Sequence, residues 1–162
     1  MKCKLTTLAT CLVAALVSTA AYAQHDHGSH QTPRPMKESA DKQADHIFIS
    51  YEEARQALIK GSMPEIKTAA RHIGLAAKSA NQPKLSELGA KLEAAPDLKS
   101  AQQAFASLSD EAIKYRETRC CNRPVVVYCS MEKKSWLQTD AKVIGNPYVD
   151  AKMRTCGEVK AN

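Results

Sequence analysis

Aromatic residues make up only 5% of this 162-residue chain, and just six of its residues are glycine. None of the glycines is placed as a phosphate-cradling loop requires. No Ser/His/Asp set and no pair of acids in a plausible cleft is visible, so the chain is not expected to be an enzyme. Two cysteines separated by two residues are also missing. That absence removes the zinc knuckle and the helix-start dithiol, and no Cys-x-x-Cys-His run exists for haem attachment. The formal net charge is +6, but the excess is spread along the chain with no basic run. With so few aromatic rings to stack on bases, nucleic acid is not expected as a partner.

Long apolar runs are lacking beyond the first twenty-odd residues, and that first run is short. Lys2 and Lys4 give a positive start, Leu5 to Ala20 is apolar and small, and Ala21-Tyr22-Ala23 fits a small-x-small cleavage site. The run is too short and too weakly apolar for a spanning helix. A lipoprotein site at Leu8-Ala9-Thr10-Cys11 falls before the apolar run is complete and is set aside. Residues 1–23 are therefore read as a secretory signal peptide, with export and no membrane attachment after cleavage. Removal takes Lys2, Lys4, Cys3 and Cys11 with it and leaves one domain's worth of chain. Cys120, Cys121, Cys129 and Cys156 remain. An even count in an oxidising compartment suggests disulfides by default, with three connectivities available. Four are too sparse to build a disulfide-stapled miniprotein, so the fold must rest on a core.

Residues 24–42 have the composition of a disordered tail, with His25, His27 and His30, then Pro33 and Pro35, and almost nothing bulky and apolar. Imidazole suits Cu(II), Zn and Ni, so three histidines beside Asp26 can gather such a cation loosely. Cleavage after Ala23 would make His25 the second residue and let the new amine join His25 and His27. The other reading of the tail is a solvated spacer.

From residue 43 onward the pattern is helical. Ile47, Tyr51, Ala54 and Leu58 recur at three- and four-residue steps from about Asp45 to Lys60, where Gly61 stops the run. Ser62-Met63-Pro64-Glu65 reads as a capping box with proline in the first turn. The second helix carries Met63, Ile66, Ala69, Ala70, Ile73 and Ala77 on one face and ends near Asn81-Gln82-Pro83. A short third runs through Leu85, Leu88 and Leu92. Asp97 caps a fourth, striped by Leu98, Ala101, Phe105, Leu108, Ala112 and Tyr115. The short connections predict a mainly α fold, a small antiparallel bundle of about four helices with an alanine-rich core. His46 and His72 are expected on its surface. Val125-Val126-Val127-Tyr128 then predicts a short strand or extended segment, leading into an irregular C-terminal loop that carries Cys and Met.

That loop concentrates the chemistry. Cys129 and Met131 form a Cys-x-Met pair, and Met153 and Cys156 a Met-x-x-Cys pair. Trp136-Leu137 and Asn146-Pro147-Tyr148 lie between them as an apolar plug and a turn. A thiolate and a thioether at each end make a soft-metal site suited to Cu(I). The same spacing also fits methionines used as core filler and a Cys129–Cys156 disulfide, and the residues alone leave both readings open. Vicinal Cys120-Cys121 can bond to each other only with strain. They either pair elsewhere or add two thiolates to the metal site, and they follow a helix end, the wrong pole for lowering a thiol pKa.

Cys129, Met131, Trp136-Leu137, Asn146-Pro147-Tyr148, Met153 and Cys156-Gly157-Glu158 together resemble the C-terminal signature of a small periplasmic bacterial domain of unknown function. That domain occurs alone or fused to adaptor subunits of copper/silver efflux pumps. Its pattern runs Cys-Pro-Met, Trp-Leu, Asn-Pro-Tyr, Met-x-x-Cys-Gly after a helical region. Here Ser130 replaces the usual proline, and Val149-Asp150 stands where Tyr-Gly is expected, both beside the ligand positions rather than on them. The resemblance covers about Asp45 to Lys160 and is specific over the final thirty residues or so. It implies copper handling outside the cytoplasm, by a buffer or carrier serving an efflux system. Two other readings stand beside it: a structural or adaptor-docking helical domain closed by disulfides, and a thiol–disulfide protein in which Cys120 or Cys121 exchanges with a Cys129–Cys156 bridge.

The signal reading has a direct check. N-terminal mass spectrometry of the exported protein is expected to find Gln24 first and unlipidated, whereas an acylated Cys11 would overturn both the cleavage site and chelation by the tail.

Overall fold

The computed structural model describes residues 35–119 and 123–161, with side chains described at 42 and from 44 onward within those ranges. The signal segment, the tail histidines His25, His27 and His30, and Cys120 and Cys121 lie outside the described residues. Four helices come first: α1 (Pro35–Lys60), α2 (Met63–Ser79), α3 (Pro83–Glu93) and α4 (Leu98–Glu117). Three short strands follow, β1 (Val125–Cys129), β2 (Lys134–Gln138) and β3 (Glu158–Val159), in one antiparallel sheet of order β2-β1-β3. The fold is mainly α, as the periodicity predicts. No helix among the described residues is long and apolar enough to cross a membrane.

The helix ends follow from local chemistry. Gly61 takes φ 73°, its N–H donates to Leu58 O (3.1 Å), and Ser62 N–H donates to Ala57 O (3.0 Å). This double bond pattern satisfies the last carbonyls of α1 and requires a residue that tolerates positive φ. Asn81 (φ 55°) ends α2 in the same way, through Asn81 N–H to Lys78 O and Gln82 N–H to Ala77 O. Pro83 then opens α3 at the first helical position, where its missing N–H is no loss. Asp97 caps α4 by accepting from Ser100 N–H at 2.7 Å, a bond that holds its carboxyl below the usual range.

Two local expectations are corrected. Ser62 sits at the N-cap of α2 but its side chain makes no capping bond. Glu65 turns instead to Lys60 Nζ at 3.0 Å, so the capping box does not form. Helix α1 begins at Pro35 rather than near Asp45, and so takes in residues 35–42 that composition assigned to the tail. That stretch is poor in apolar residues but, with Met, Lys, Glu and Ala among its members, good in helix formers, and it opens on a proline at the tolerated position.

Each helix packs on the next in the chain, α1 on α2, α2 on α3 and α3 on α4. Almost the whole predicted stripe is buried, including Ile47, Tyr51, Ala54, Leu58, Ile66, Ile73, Leu85, Leu92, Phe105 and Leu108, while Met63, Leu98 and Tyr115 pack partly buried against it. His46 and His72 are exposed, as expected. Helix α4 passes the core on to the sheet through β2, whose Trp136 and Leu137 are fully buried. Trp136 is thus the apolar plug anticipated from sequence.

A buried polar chain ties α1, α4 and the C-terminal segment together. Tyr51 OH meets Ser109 Oγ at 2.5 Å, Ser109 Oγ meets Tyr148 OH at 3.0 Å, and Leu137 N–H donates to Tyr51 OH at 3.2 Å. Tyr148 OH also donates to Ser135 O. The rings pack as well, with Tyr51–Phe105 centroids at 4.7 Å and Trp136 edge-on to Tyr148 at 6.0 Å. Burial drives the pKa of both tyrosines up, so they act as neutral hydrogen-bonding phenols.

Close approach of α2 and α3 depends on Gly89. A Cβ there would lie 3.0 Å from Gly74 N and 3.1 Å from Ala70 O, both backbone atoms that cannot step aside, whereas a Cβ on Gly74 would meet nothing closer than Ser86 O at 3.8 Å. Gly89→Ala is therefore expected to destabilise the fold by roughly 1–3 kcal/mol. Gly74→Ala is expected to be neutral or to stabilise it by about 0.5–1 kcal/mol through helix propensity. Thermal denaturation of the two variants checks the pair, and equal shifts of the same sign would contradict this packing.

Candidate metal-binding site

The site begins where β1 ends. Cys129 is the last residue of β1, paired with Lys134 across the hairpin, and the intervening turn 130–133 closes with Lys133 at φ 53°. The turn aims the backbone N–H groups of Met131 and Glu132 at Cys129 Sγ. Cys156 arrives from the other side. After the 3-10 turn Ala151–Met153, Cys156 N–H donates to Met153 O at 2.8 Å, and the chain runs directly into β3 alongside β1. Gly157 makes this approach possible, since a Cβ there would lie 2.7 Å from the Trp136 ring and 2.9 Å from Val127 Cγ1. The outcome is a pair of thiols, Cys129 Sγ and Cys156 Sγ, 2.7 Å apart across twenty-seven residues of sequence. Cys129 is 1% exposed and lies beneath the half-buried Cys156.

Asn146 holds the arrangement from behind. It is fully buried; its side-chain amide donates to Cys156 O at 2.9 Å, while Oδ1 accepts from Tyr148 N–H at 2.9 Å. Its own N–H donates to Arg154 O at 2.7 Å. The loop leading to it is held by two buried polar side chains. Arg55, paired with Glu52 through Nε and Nη2, donates from Nη1 to Gly145 O at 2.5 Å. Gln138 donates to the carbonyls of Asp140 and Val143 and accepts from Trp136 Nε1 and Gly145 N–H.

The two thiols titrate apart. Burial works to raise Cys129, but hydrogen bonds from Cys156, from the Glu132 and Met131 N–H groups and from Asn146 outweigh it and lower its pKa. Cys156 moves up because it donates to Cys129, with burial and the charges of Cys129 and Glu132 adding to the shift. The first proton lost from the pair therefore leaves Cys129, with the Cys156 S–H donating to it.

Of the residues singled out from sequence, Cys129 and Cys156 are brought together. Met131 and Met153 each lie in the turn next to their cysteine, but with side chains open to solvent, at 64% and 38% exposure. Core filler is thereby excluded for both. Among the described residues no cluster of three or more His, Cys, Asp or Glu could hold a metal, and of the sulfur donors singled out from sequence only those methionines join the two thiols there. Asn146 was anticipated only as part of a turn. Its polar side chain between the apolar plug and Pro147 was the available signal, and its amide bonds the Cys156 carbonyl. Searches against protein-family models, curated proteins and solved structures find no match for this chain.

The split titration has a stability consequence. Cys129, lowered in the fold, contributes stability above the unfolded thiol value of about 8.5 and loses it as pH falls through its lower folded value. Cys156, raised, contributes below that value and loses it as pH rises through its higher folded one. Relative to a Cys129→Ser/Cys156→Ser chain, the urea midpoint of reduced protein is expected to rise with pH up to the unfolded value and fall beyond it. Thiolate absorbance near 240 nm should develop in two separated steps, and in Cys156→Ala the Cys129 step should move up. A single step at the ordinary thiol value would contradict the pairing.

Proposed function

We propose that this chain is a non-catalytic periplasmic copper-binding protein, a buffer or carrier serving copper efflux, which takes Cu(I) as cargo on the Cys129 and Cys156 thiolates. The observation that carries this reading is the meeting of those two sulfurs at 2.7 Å, with solvent-open Met131 and Met153 close in sequence to either cysteine. Thiolate and thioether donors favour Cu(I) over the harder divalent ions. The lowered pKa of Cys129 eases loss of its proton to an arriving cation. Exposed Met131 and Met153 can swing onto a metal held at the thiols, and their exposure lets cargo pass to a partner without unfolding the core. The resemblance of the Cys-x-Met, Asn-Pro-Tyr and Met-x-x-Cys-Gly elements to the efflux-associated periplasmic domain supports the same cargo and compartment. The tail histidines His25, His27 and His30 would gather Cu(II) or Zn ahead of it, and Cys120 and Cys121 would extend the thiolate set if they reach it.

The competing reading is a structural or adaptor-docking helical domain that uses the same two sulfurs only as a disulfide. Competition with a chromogenic Cu(I) chelator separates the two. Cys129→Ser or Cys156→Ser should lower the Cu(I) affinity of reduced protein by more than about a hundredfold, the scale on which even outer-shell changes act. Met131→Leu and Met153→Leu should each lower it by less than about tenfold, since a neutral thioether supplies only soft donation. Retention of wild-type affinity in both serine variants would leave the structural reading in place.

A further inference from the structure

The sulfur pair is asymmetric in a way that metal binding alone does not require. Cys129 is enclosed at 1% exposure, whereas Cys156 is only half-buried and lies at the surface side of the pair. The separation of 2.7 Å leaves only a small approach to an S–S bond of about 2.05 Å. In thiol–disulfide exchange the sulfur that can be reached is the one attacked, and its partner is the one that leaves. Access therefore selects the direction here.

We infer that Cys129 and Cys156 form a reversible disulfide that is opened by a thiol partner attacking Cys156 Sγ, with Cys129 Sγ as the leaving sulfur, and that this exchange controls whether the site can take a metal. In the opening step a thiolate of a dithiol bonds to Cys156 Sγ and the Cys129–Cys156 bond breaks. Its electron pair goes to Cys129 Sγ. The second thiol of the partner then attacks its own sulfur in the mixed disulfide and releases Cys156. The dithiol leaves as a disulfide, oxidised by two electrons, and this pair is reduced by two. The two protons of the dithiol end on Cys156 and either on Cys129 or in solvent. Run backwards, with a disulfide as oxidant, Cys156 attacks first and Cys129 closes the bond. Control of loading rests on the copper reading, because a closed disulfide offers no thiolate to a cation; the direction of exchange does not.

The test uses the full chain, oxidised in a glutathione disulfide buffer, exposed briefly to reduced glutathione and quenched with acid, with tandem mass spectrometry locating the adduct. Glutathione is expected on Cys156 in at least about tenfold excess over Cys129, since attack follows access and the leaving sulfur. As a second measurement, Cys129→Ser, which leaves Cys156 free, should react with a chromogenic disulfide reagent at least about tenfold faster than Cys156→Ser, which leaves the enclosed Cys129. Adducts mainly on Cys129, equal adducts, or no Cys129–Cys156 disulfide at any glutathione ratio would overturn the exchange. Cu(I) titration of the same protein before and after dithiothreitol keeps the two ideas apart. Selective adducts without Cu(I) uptake by reduced protein would leave the exchange standing and the copper reading refuted; uptake with unselective adducts would do the reverse. Equal Cu(I) uptake by the oxidised and reduced chain would overturn the control of loading.

Discussion

The buried amide of Asn146 makes the connection on which the C-terminal segment depends. Its Nδ2 donates to Cys156 O at the entry to β3 and its Oδ1 accepts from Tyr148 N–H, so one side chain joins the Asn-Pro-Tyr turn to the strand that pairs with β1. A buried amide without partners would be strongly unfavourable, and this one is satisfied only when both stretches are in place. It thereby helps fix a loop of twenty-odd residues as a scaffold for two sulfurs. Replacing it by an apolar residue of similar size would take the side-chain donor from the Cys156 carbonyl.

The helical part serves that scaffold rather than the site. Helices α1 and α4 present Tyr51, Ser109 and Phe105 to the segment, and Arg55 reaches from α1 to the Gly145 carbonyl. These contacts matter more than the alanine-rich interface, because each buried alanine removes little area from water at roughly 25 cal/mol per Å². Small residues instead let the helices approach closely, which Gly89 against Gly74 carries to its limit. The aromatic and polar cluster around Tyr148 then supplies what the thin core lacks: packed rings, and phenols whose hydroxyls are all partnered.

The helices were legible in the sequence because each signal for them is local. A three- and four-residue apolar period, a glycine or asparagine in the left-handed region and an aspartate cap need no distant partner to be recognised, and the spans at Gly61, Asn81 and Asp97 follow from them. Where the reading missed, a contact outside the local pattern decided. Glu65 preferred Lys60 to the Ser62 N–H. Ser109, a small polar residue on the buried side of α4, is explained only by Tyr51 and Tyr148 far away in the chain. β2 was seen only as an apolar anchor, since Lys-Ser-Trp-Leu-Gln alternates poorly and its burial on both faces depends on α4 and Gly157. Within the site, the cysteines and methionines could be named from residue type. Their arrangement could not, because sequence gives no measure of which of four sulfurs will be enclosed.

Cys129 and Cys156, held 2.7 Å apart, are proposed to take Cu(I) together. X-ray absorption at the copper edge, on reduced protein loaded with one equivalent of Cu(I), tests this most directly. A first shell made of sulfur alone is expected, collapsing when Cys129 and Cys156 are both replaced by serine. A shell of nitrogen or oxygen, or a sulfur shell that persists unchanged in the double-serine chain, would contradict it.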